Sequence, residues 1–208
     1  VLDLGCGEGG TAIAFAQAGA QVFCLDISLY SVMRSLVRSR EENTTVHGIC
    51  ASGNSLPFRD HCFDLVVCQD VVEHVPRVAL LAEEIGRVLK PGGLLYLTAP
   101  NRLAPYNILR DPHFGLFGVS LMPRWLASWY VVRVRRRLAR YDVEQLPTLP
   151  FLERTFSRHG GIEISSYYYQ QNAHKIDNPA MITSLKKRRL LQIVGRAIPI
   201  LLLLKTLY

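Results

Sequence analysis

Val1-Leu2-Asp3-Leu4-Gly5-Cys6-Gly7-Glu8-Gly9-Gly10 is the stretch that decides how this chain folds. Four apolar-biased residues run straight into a glycine-rich turn, and an alanine-rich helical pattern follows to about residue 18. That order predicts a buried strand opening into a helix N-terminus, where backbone amides can approach a ligand closely. Within it, Asp3 places a carboxylate two residues before the first glycine.

The glycines by themselves fit two ligands. Gly5, Gly7 and Gly10 satisfy G-x-G-x-x-G, the dinucleotide fingerprint. A dinucleotide would bring a pyrophosphate to this turn, and a carboxylate at the strand tip would repel it. S-adenosylmethionine brings an ammonium, a sulfonium and a ribose instead. A carboxylate then attracts, by on the order of a few kcal/mol at ~4 Å before desolvation. Asp3 therefore favours S-adenosylmethionine over NAD.

Working outward, strand and helix patterns alternate. Residues 1–4 read as a strand and 10–18 as a helix ending at Gly19. Gln21–Leu25 is a second strand closed by Asp26. Ser28 is placed to cap a helix reaching Arg40. Thr45–Cys50 is a third strand, and Phe63–Cys68, nearly all apolar, a fourth that is buried on both faces. Val78–Lys90 has helical spacing, stopped by Pro91-Gly92-Gly93, and Leu94–Ala99 is a fifth strand. The alternation implies a doubly wound α/β fold on a mainly parallel sheet. Residues 101–122 interrupt it with a long connection, the length at which loops tend to be functional. Residues 123–140 and 148–158 read as helices, Ile162–Tyr169 as a sixth strand, and the remainder to Tyr208 as mainly helical. The chain divides into a cofactor core over 1–100, a substrate-side insertion with basic helices over 101–160, and a C-terminal apolar and basic segment over 161–208, all in one domain.

The 208 residues carry a net charge of +7 and are 49% apolar, which suits one domain with a sizeable core. The basic excess sits in the back half, at Arg133, Arg135, Arg136, Arg137 and Arg140 and again at Lys186, Lys187, Arg188 and Arg189. The first group alternates with Trp129, Tyr130, Val131, Val132 and Leu138, the pattern of a helix lying on an anionic membrane surface. The apolar run 197–204 is too short to span a bilayer, which needs about 20 apolar residues. Five cysteines show no C-x-x-C spacing. Cys6, Cys24 and Cys68 read as small core residues, and the odd count points to a reducing, cytoplasmic compartment. Asp60, His61 and Asp64 lie close in sequence, but a turn and a strand start separate their roles, so no metal site is expected.

Several further motifs stand in order: Asp26 closing strand two, Leu56-Pro57-Phe58, Phe63-Asp64-Leu65-Val66-Val67, Val72-Glu73-His74-Val75 and Leu89-Lys90-Pro91-Gly92-Gly93. With the opening turn they make the chain resemble the class I S-adenosylmethionine-dependent methyltransferases of the quinone-biosynthesis and bacterial glycan-cluster type. The likeness covers roughly residues 1–100. It implies a Rossmann-like methyltransferase fold and S-adenosylmethionine as cofactor. Asp3, Gly5, Gly7 and Gly9 would cradle the methionine part, Asp26 the ribose hydroxyls, and Ile27 the adenine face. Gln69 would border the transferring methyl. Where the family often has an Asp four residues before Leu-Pro-Phe, this chain has Ser52 followed by Gly53. Adenine recognition then falls to an uncharged hydroxyl and an amide. Members also carry an N-terminal cap and a last antiparallel strand. The chain opens directly on a core strand and holds no seventh strand pattern, so both are expected to be lacking.

Methyl transfer to an oxygen needs the acceptor proton removed, and a histidine titrates near neutrality. His74, just beyond strand four, is the first candidate base and His113 the second, while Glu73 reads as structural. The reaction indicated is O-methylation of a small-molecule, glycan or lipid-linked acceptor. One alternative is methylation of a quinone ring at the membrane. Another is RNA binding or RNA methylation through the basic clusters. Against nucleic acid, Cys68-Gln69-Asp70 occupies the place where a base methyltransferase carries an Asn/Asp-Pro-Pro-Tyr motif. The expected location is cytoplasmic, with membrane-peripheral contact through Arg133–Arg140 and the C-terminal segment.

Overall fold

A computed structural model describes residues 1–134, 143–144 and 146–163. Within them the chain runs β1 (Leu2–Leu4), α1 (Gly10–Gln17), β2 (Phe23–Asp26), α2 (Leu29–Glu41), β3 (His47–Cys50), β4 (Phe63–Gln69), α3 (Val78–Val88), β5 (Leu89–Thr98), α4 (Pro105–Leu109), α5 (Arg124–Val134) and α6 (Leu149–Gly160). Short 3₁₀ turns span Val72–His74 and Val119–Leu121. The five strands form one parallel sheet in the order β3-β2-β1-β4-β5. The doubly wound α/β reading therefore holds.

The order reverses direction beside β1, between β2 on one side and β4 on the other. Ligands in open α/β sheets bind in the crevice at the carboxyl ends of the strands, where such a reversal occurs. The tips of β1, β2 and β4 carry Leu4, Asp26 and Gln69 into that crevice.

Side-chain alternation builds a core on each face. Leu2, Leu4, Val66 and Cys68 pack with Leu81, Ile85, Leu152 and Phe156 of α3 and α6. On the other face Cys24, Leu65 and Val67 pack with Ala12 and Phe15 of α1. Each large apolar side chain buried in this way contributes about 1.5–3 kcal/mol. A separate cluster of Phe114, Val119, Ala127, Val131, Val143 and Leu146 gives the 101–146 region its own small core.

Several boundaries differ from the sequence reading, β2 among them, which begins at Phe23 and not Gln21. β3 begins at His47 and not Thr45, because Val46 packs inward while His47 is the first residue in register with β2. Helix α3 ends at Val88, and Pro91-Gly92-Gly93 lies inside β5, not between helix and strand. The irregular register between Phe63 and Leu65 absorbs those extra residues, with Phe63 paired to Leu89 and Leu65 to Leu94. The long 101–122 connection is not structureless; it holds α4 and a 3₁₀ turn. The expected helix over 123–140 is present as α5 to Val134, and 135–140 lie outside the described residues. Residues 162 and 163 have no strand assignment. The rest of the expected sixth strand, the second basic cluster and the apolar run lie outside the described residues.

Candidate functional site

The crevice is lined first by the β1–α1 turn. Gly5 and Gly7 adopt φ of 76° and 50°, a left-handed backbone that side chains resist. A Cβ on Gly5 would overlap the side chain of Val71, so the turn folds against the segment after β4. Gly7 has nothing within 4 Å of where its Cβ would stand, which leaves that backbone face open to a ligand. Gly9 caps α1 with its own left-handed backbone and no side-chain hydrogen bond.

Asp3 is buried at 3% exposure, and its Oδ2 has no hydrogen-bond partner. Burial, with Cys24 adding to it, pushes its carboxyl up to about 7, while a hydrogen bond with the Ala12 backbone acts the other way. A half-satisfied buried carboxyl beside an open glycine turn is suited to receive a cation.

Asp26 ties two elements together. Its Oδ2 accepts from the Gly7 amide at 3.0 Å and its Oδ1 from the Ser28 amide at 2.8 Å. Ser28 in turn caps α2 by accepting from Ser31 at 3.3 Å, as its sequence position indicated. Each carboxylate oxygen keeps a further lone pair toward the crevice. Ile27 next to it is 78% exposed, an aliphatic surface with nothing over it.

Beyond β3, Ser52 accepts from the Asn54 amide at 3.2 Å. Its hydroxyl is thus committed to shaping its own turn as well as offering a polar group. Gly53 sits against Leu81 and Leu4, too close for a side chain to be added without displacement. The loop that follows is pinned by Arg87, which donates to the Leu56 and Phe58 carbonyls at 3.0 and 2.7 Å and to Asp60 at 2.8 Å. Glu84 closes the clamp by binding Arg87 and accepting from the Leu56 amide at 2.6 Å. The Arg87 hydrogen bonds hold the Glu84 carboxyl below its ordinary value.

At the tip of β4, the Thr11 hydroxyl donates to Gln69 Oε1 at 2.8 Å, orienting the amide. Asp70 follows with φ of 53°, held by its amide to the Thr98 carbonyl at 3.0 Å and by the Thr98 hydroxyl at 3.2 Å. Burial and then the nearby Glu73 raise its carboxyl.

The two candidate histidines come together. His74 ends the 3₁₀ turn, and His113 comes from the long connection; their rings meet edge to face at 5.3 Å. His113 is set by a tight turn in which Asp111, itself buried, accepts from the His113 and Phe114 amides at 3.0 and 2.8 Å. Glu73, read from the sequence as structural, is fully buried beneath them. Neither of its carboxylate oxygens has a hydrogen-bond partner, and Oε1 lies 3.7 Å from His113 Nε2. Glu73, His74 and His113 offer ligand atoms all within 4.8 Å of one another, a set that could hold a metal ion. The distance of His113 from Glu73 and His74 in the sequence concealed this set.

Residues 101–134 expose several large apolar side chains. Leu103, Tyr106, Leu109, Phe117, Trp125 and Trp129 are all exposed. Arg133 is exposed at the end of α5, while Arg135, Arg136, Arg137 and Arg140 lie outside the described residues. Among the described residues no helix is long and apolar enough to cross a membrane.

Residues 2–97 match the family model of a methyltransferase domain. A ubiquinone biosynthesis O-methyltransferase from Chelativorans sp. (strain BNC1) is 29% identical over 126 residues, 61% of this chain and 48% of that protein. One of the same description from Paraburkholderia phytofirmans is 33% identical over 61% of this chain and 53% of its own length. The chain spans about half the length of these curated relatives. Among solved structures, that of a methyltransferase from Bacillus halodurans described as putative superposes with TM-score 0.57. It is 21% identical and covers 76% of this chain and 61% of its own. One described as a putative sarcosine dimethylglycine methyltransferase from Galdieria sulphuraria gives 0.56 at 19% identity, covering 76% and 52%. At that identity these two speak for the fold.

Proposed function

We propose that this chain, whose residues 2–97 match a methyltransferase domain, is a class I S-adenosylmethionine-dependent methyltransferase and transfers a methyl group to an oxygen of a small acceptor. The observation that carries the reading is the buried, half-partnered Asp3 beside the open backbone of Gly7, with Asp26 across the turn. Bound S-adenosylmethionine supplies an electrophilic methyl on a sulfonium. Asp3 takes the positive end of the methionine part. Gly5, Gly7 and Gly9 admit it closely, Asp26 receives the ribose hydroxyls, Ile27 covers the adenine, and Ser52 with the Gly53 amide meets its edge. Gln69, fixed by Thr11, borders the methyl. These roles fit groups that otherwise stand open or half-satisfied.

Proton removal from the acceptor falls to the His74–His113 pair above Glu73. A buried carboxylate next to His113 favours the imidazolium that forms when the acceptor proton is taken. Turnover and cofactor affinity of His74→Ala and His113→Ala test this. The base should lose about 10²–10⁴-fold in turnover with cofactor affinity retained. Equal losses of turnover and stability in both variants would remove the role. A second reading is favoured by Glu73, whose carboxylate oxygens accept no hydrogen bond: the same trio binds a divalent cation that polarises the acceptor oxygen. Turnover abolished by a chelator and restored by Mg²⁺ or Mn²⁺ would select it.

The relatives' description makes a phenolic quinone precursor the first acceptor to try. The exposed apolar side chains from Leu103 to Trp129 support an acceptor with an apolar tail, met at a membrane surface. A glycan or other lipid-linked acceptor is compatible with the same site. Co-sedimentation with vesicles containing anionic lipid, lost in Trp125→Ala/Trp129→Ala, is the expected result.

A further inference from the structure

Beneath the glycine turn lie two thiols that the proposed reaction does not use. Cys6 sits inside the turn, between Gly5 and Gly7, and Cys24 sits on β2 two residues before Asp26. Their backbones are already tied, since the Cys6 amide donates to the Leu25 carbonyl at 3.0 Å. The two side chains meet at one hydroxyl, Ser35 Oγ, at 3.8 Å from Cys6 Sγ and 3.4 Å from Cys24 Sγ. Ser35 in turn donates to the Val32 carbonyl at 2.9 Å, and α2 passes so close there that Gly9 admits no side chain.

We propose that Cys6 and Cys24 are an oxidation site: a dithiol that closes to a disulfide and, in closing, releases the cofactor. The thiol pair stands on its own geometry, while its effect on the cofactor rests on the function proposed above.

Disulfide formation begins from a thiolate, the nucleophilic form of the sulfur. With hydrogen peroxide as oxidant, Cys24 sulfur attacks one peroxide oxygen and hydroxide leaves, giving a sulfenic acid. Cys6 sulfur then attacks the Cys24 sulfur, the S–S bond forms and the hydroxyl leaves. Both thiol protons end in water, so two thiols and one peroxide yield one disulfide and two waters.

A disulfide requires the sulfurs to close to about 2.05 Å. Cys6 can be drawn toward β2 only by moving the turn, because Cys24 is fixed in the sheet by its pairing with Asp3 and Gly48. The neighbouring Gly7 amide holds Asp26, so this movement alters the surface proposed to carry methionine and ribose. By reciprocity, bound cofactor should slow the oxidation.

The test treats the full chain with hydrogen peroxide, maps cross-linked peptides by mass spectrometry, and titrates S-adenosylhomocysteine before oxidation, after it, and after dithiothreitol. The expected result is a Cys6–Cys24 linked peptide 2 Da lighter, at least tenfold weaker binding, and recovery on reduction. Cys24→Ser, or Cys24→Ala if that folds better, should bind in the reduced state and lose no affinity on oxidation. Oxidation confined to the more accessible Cys50 and Cys62, or a Cys6–Cys24 link that leaves affinity unchanged, would overturn the proposal. If the reduced protein binds no S-adenosylhomocysteine, the cofactor assignment fails, and peptide mapping still decides whether the dithiol exists.

Discussion

The Gly7 amide donates to Asp26 Oδ2 at 3.0 Å, joining the turn after β1 to the tip of β2. One carboxylate thus serves the fold and, in the proposed site, the cofactor. Asp26→Ala removes both this bond and the one from the Ser28 amide. Charge-assisted hydrogen bonds are worth about 1.5–3 kcal/mol each when a partner is deleted. Calorimetry should show S-adenosylhomocysteine affinity reduced by about 10–100-fold, with a smaller loss for Asp26→Asn, which keeps one acceptor oxygen.

Asp3 makes cofactor uptake pH-dependent. Its carboxyl lies at about 7 in the folded chain against 3.8 as a free side chain. Between those values the folded state holds a proton that the unfolded state has released. Its contribution to stability therefore falls as pH rises from about 4 to about 7, by on the order of 4 kcal/mol, and levels off above. Cofactor that needs the carboxylate must displace this proton. Affinity should climb up to tenfold per pH unit from 5.5 to 7, with close to one proton released per cofactor bound at the acid end. Affinity that is flat over this range would remove Asp3 as the cation partner, and Asp3→Asn should abolish the slope.

Glu73 is buried and neither of its carboxylate oxygens accepts a hydrogen bond, so replacing it separates the roles of the trio. Glu73→Gln keeps the volume and removes the charge. Turnover should drop at least tenfold while S-adenosylhomocysteine affinity changes less than threefold. Unchanged turnover would make Glu73 a structural residue only.

Arg87 holds the 56–60 loop through four partners. Arg87→Ala leaves the Leu56 and Phe58 carbonyls without their guanidinium and Glu84 without its cation. Chemical denaturation should show about 1–3 kcal/mol of lost stability, set by polar groups losing partners rather than by the half-exposed ion pair to Asp60. A loss below about 0.5 kcal/mol would mean that the loop holds its shape without the clamp.

The parts of this molecule legible in the sequence are those whose cause is local. The glycines after β1 announce a left-handed turn because other residues resist it. Asp3 and Asp26 follow from strand ends, and Ser28 from the start of an amphipathic helix. The all-apolar β4 signals burial on both faces. What stayed hidden depends on tertiary folding. His74 and His113 are 39 residues apart and meet only because the Asp111 turn brings the long connection back over the 3₁₀ turn. Glu73 read as structural; its burial comes from what packs over it, including the segment whose Glu144 amide donates to the Glu73 carbonyl at 2.8 Å. Pro91-Gly92-Gly93 reads as a helix stop, yet the sheet accommodates it by a register shift. Cys6 and Cys24 looked like filler because each lies in an apolar run; nothing along the chain states that they share the Ser35 hydroxyl.

The central claim is that the crevice at β1, β2 and β4 takes S-adenosylmethionine. Isothermal titration of the full chain with S-adenosylhomocysteine, beside NAD and beside the Asp26→Ala variant, tests it most directly. One-site binding of S-adenosylhomocysteine, weakened at least tenfold by Asp26→Ala, with no heat from NAD, is the predicted result. Micromolar binding of NAD, or equal S-adenosylhomocysteine affinity in the parent and in Asp26→Ala, would contradict it.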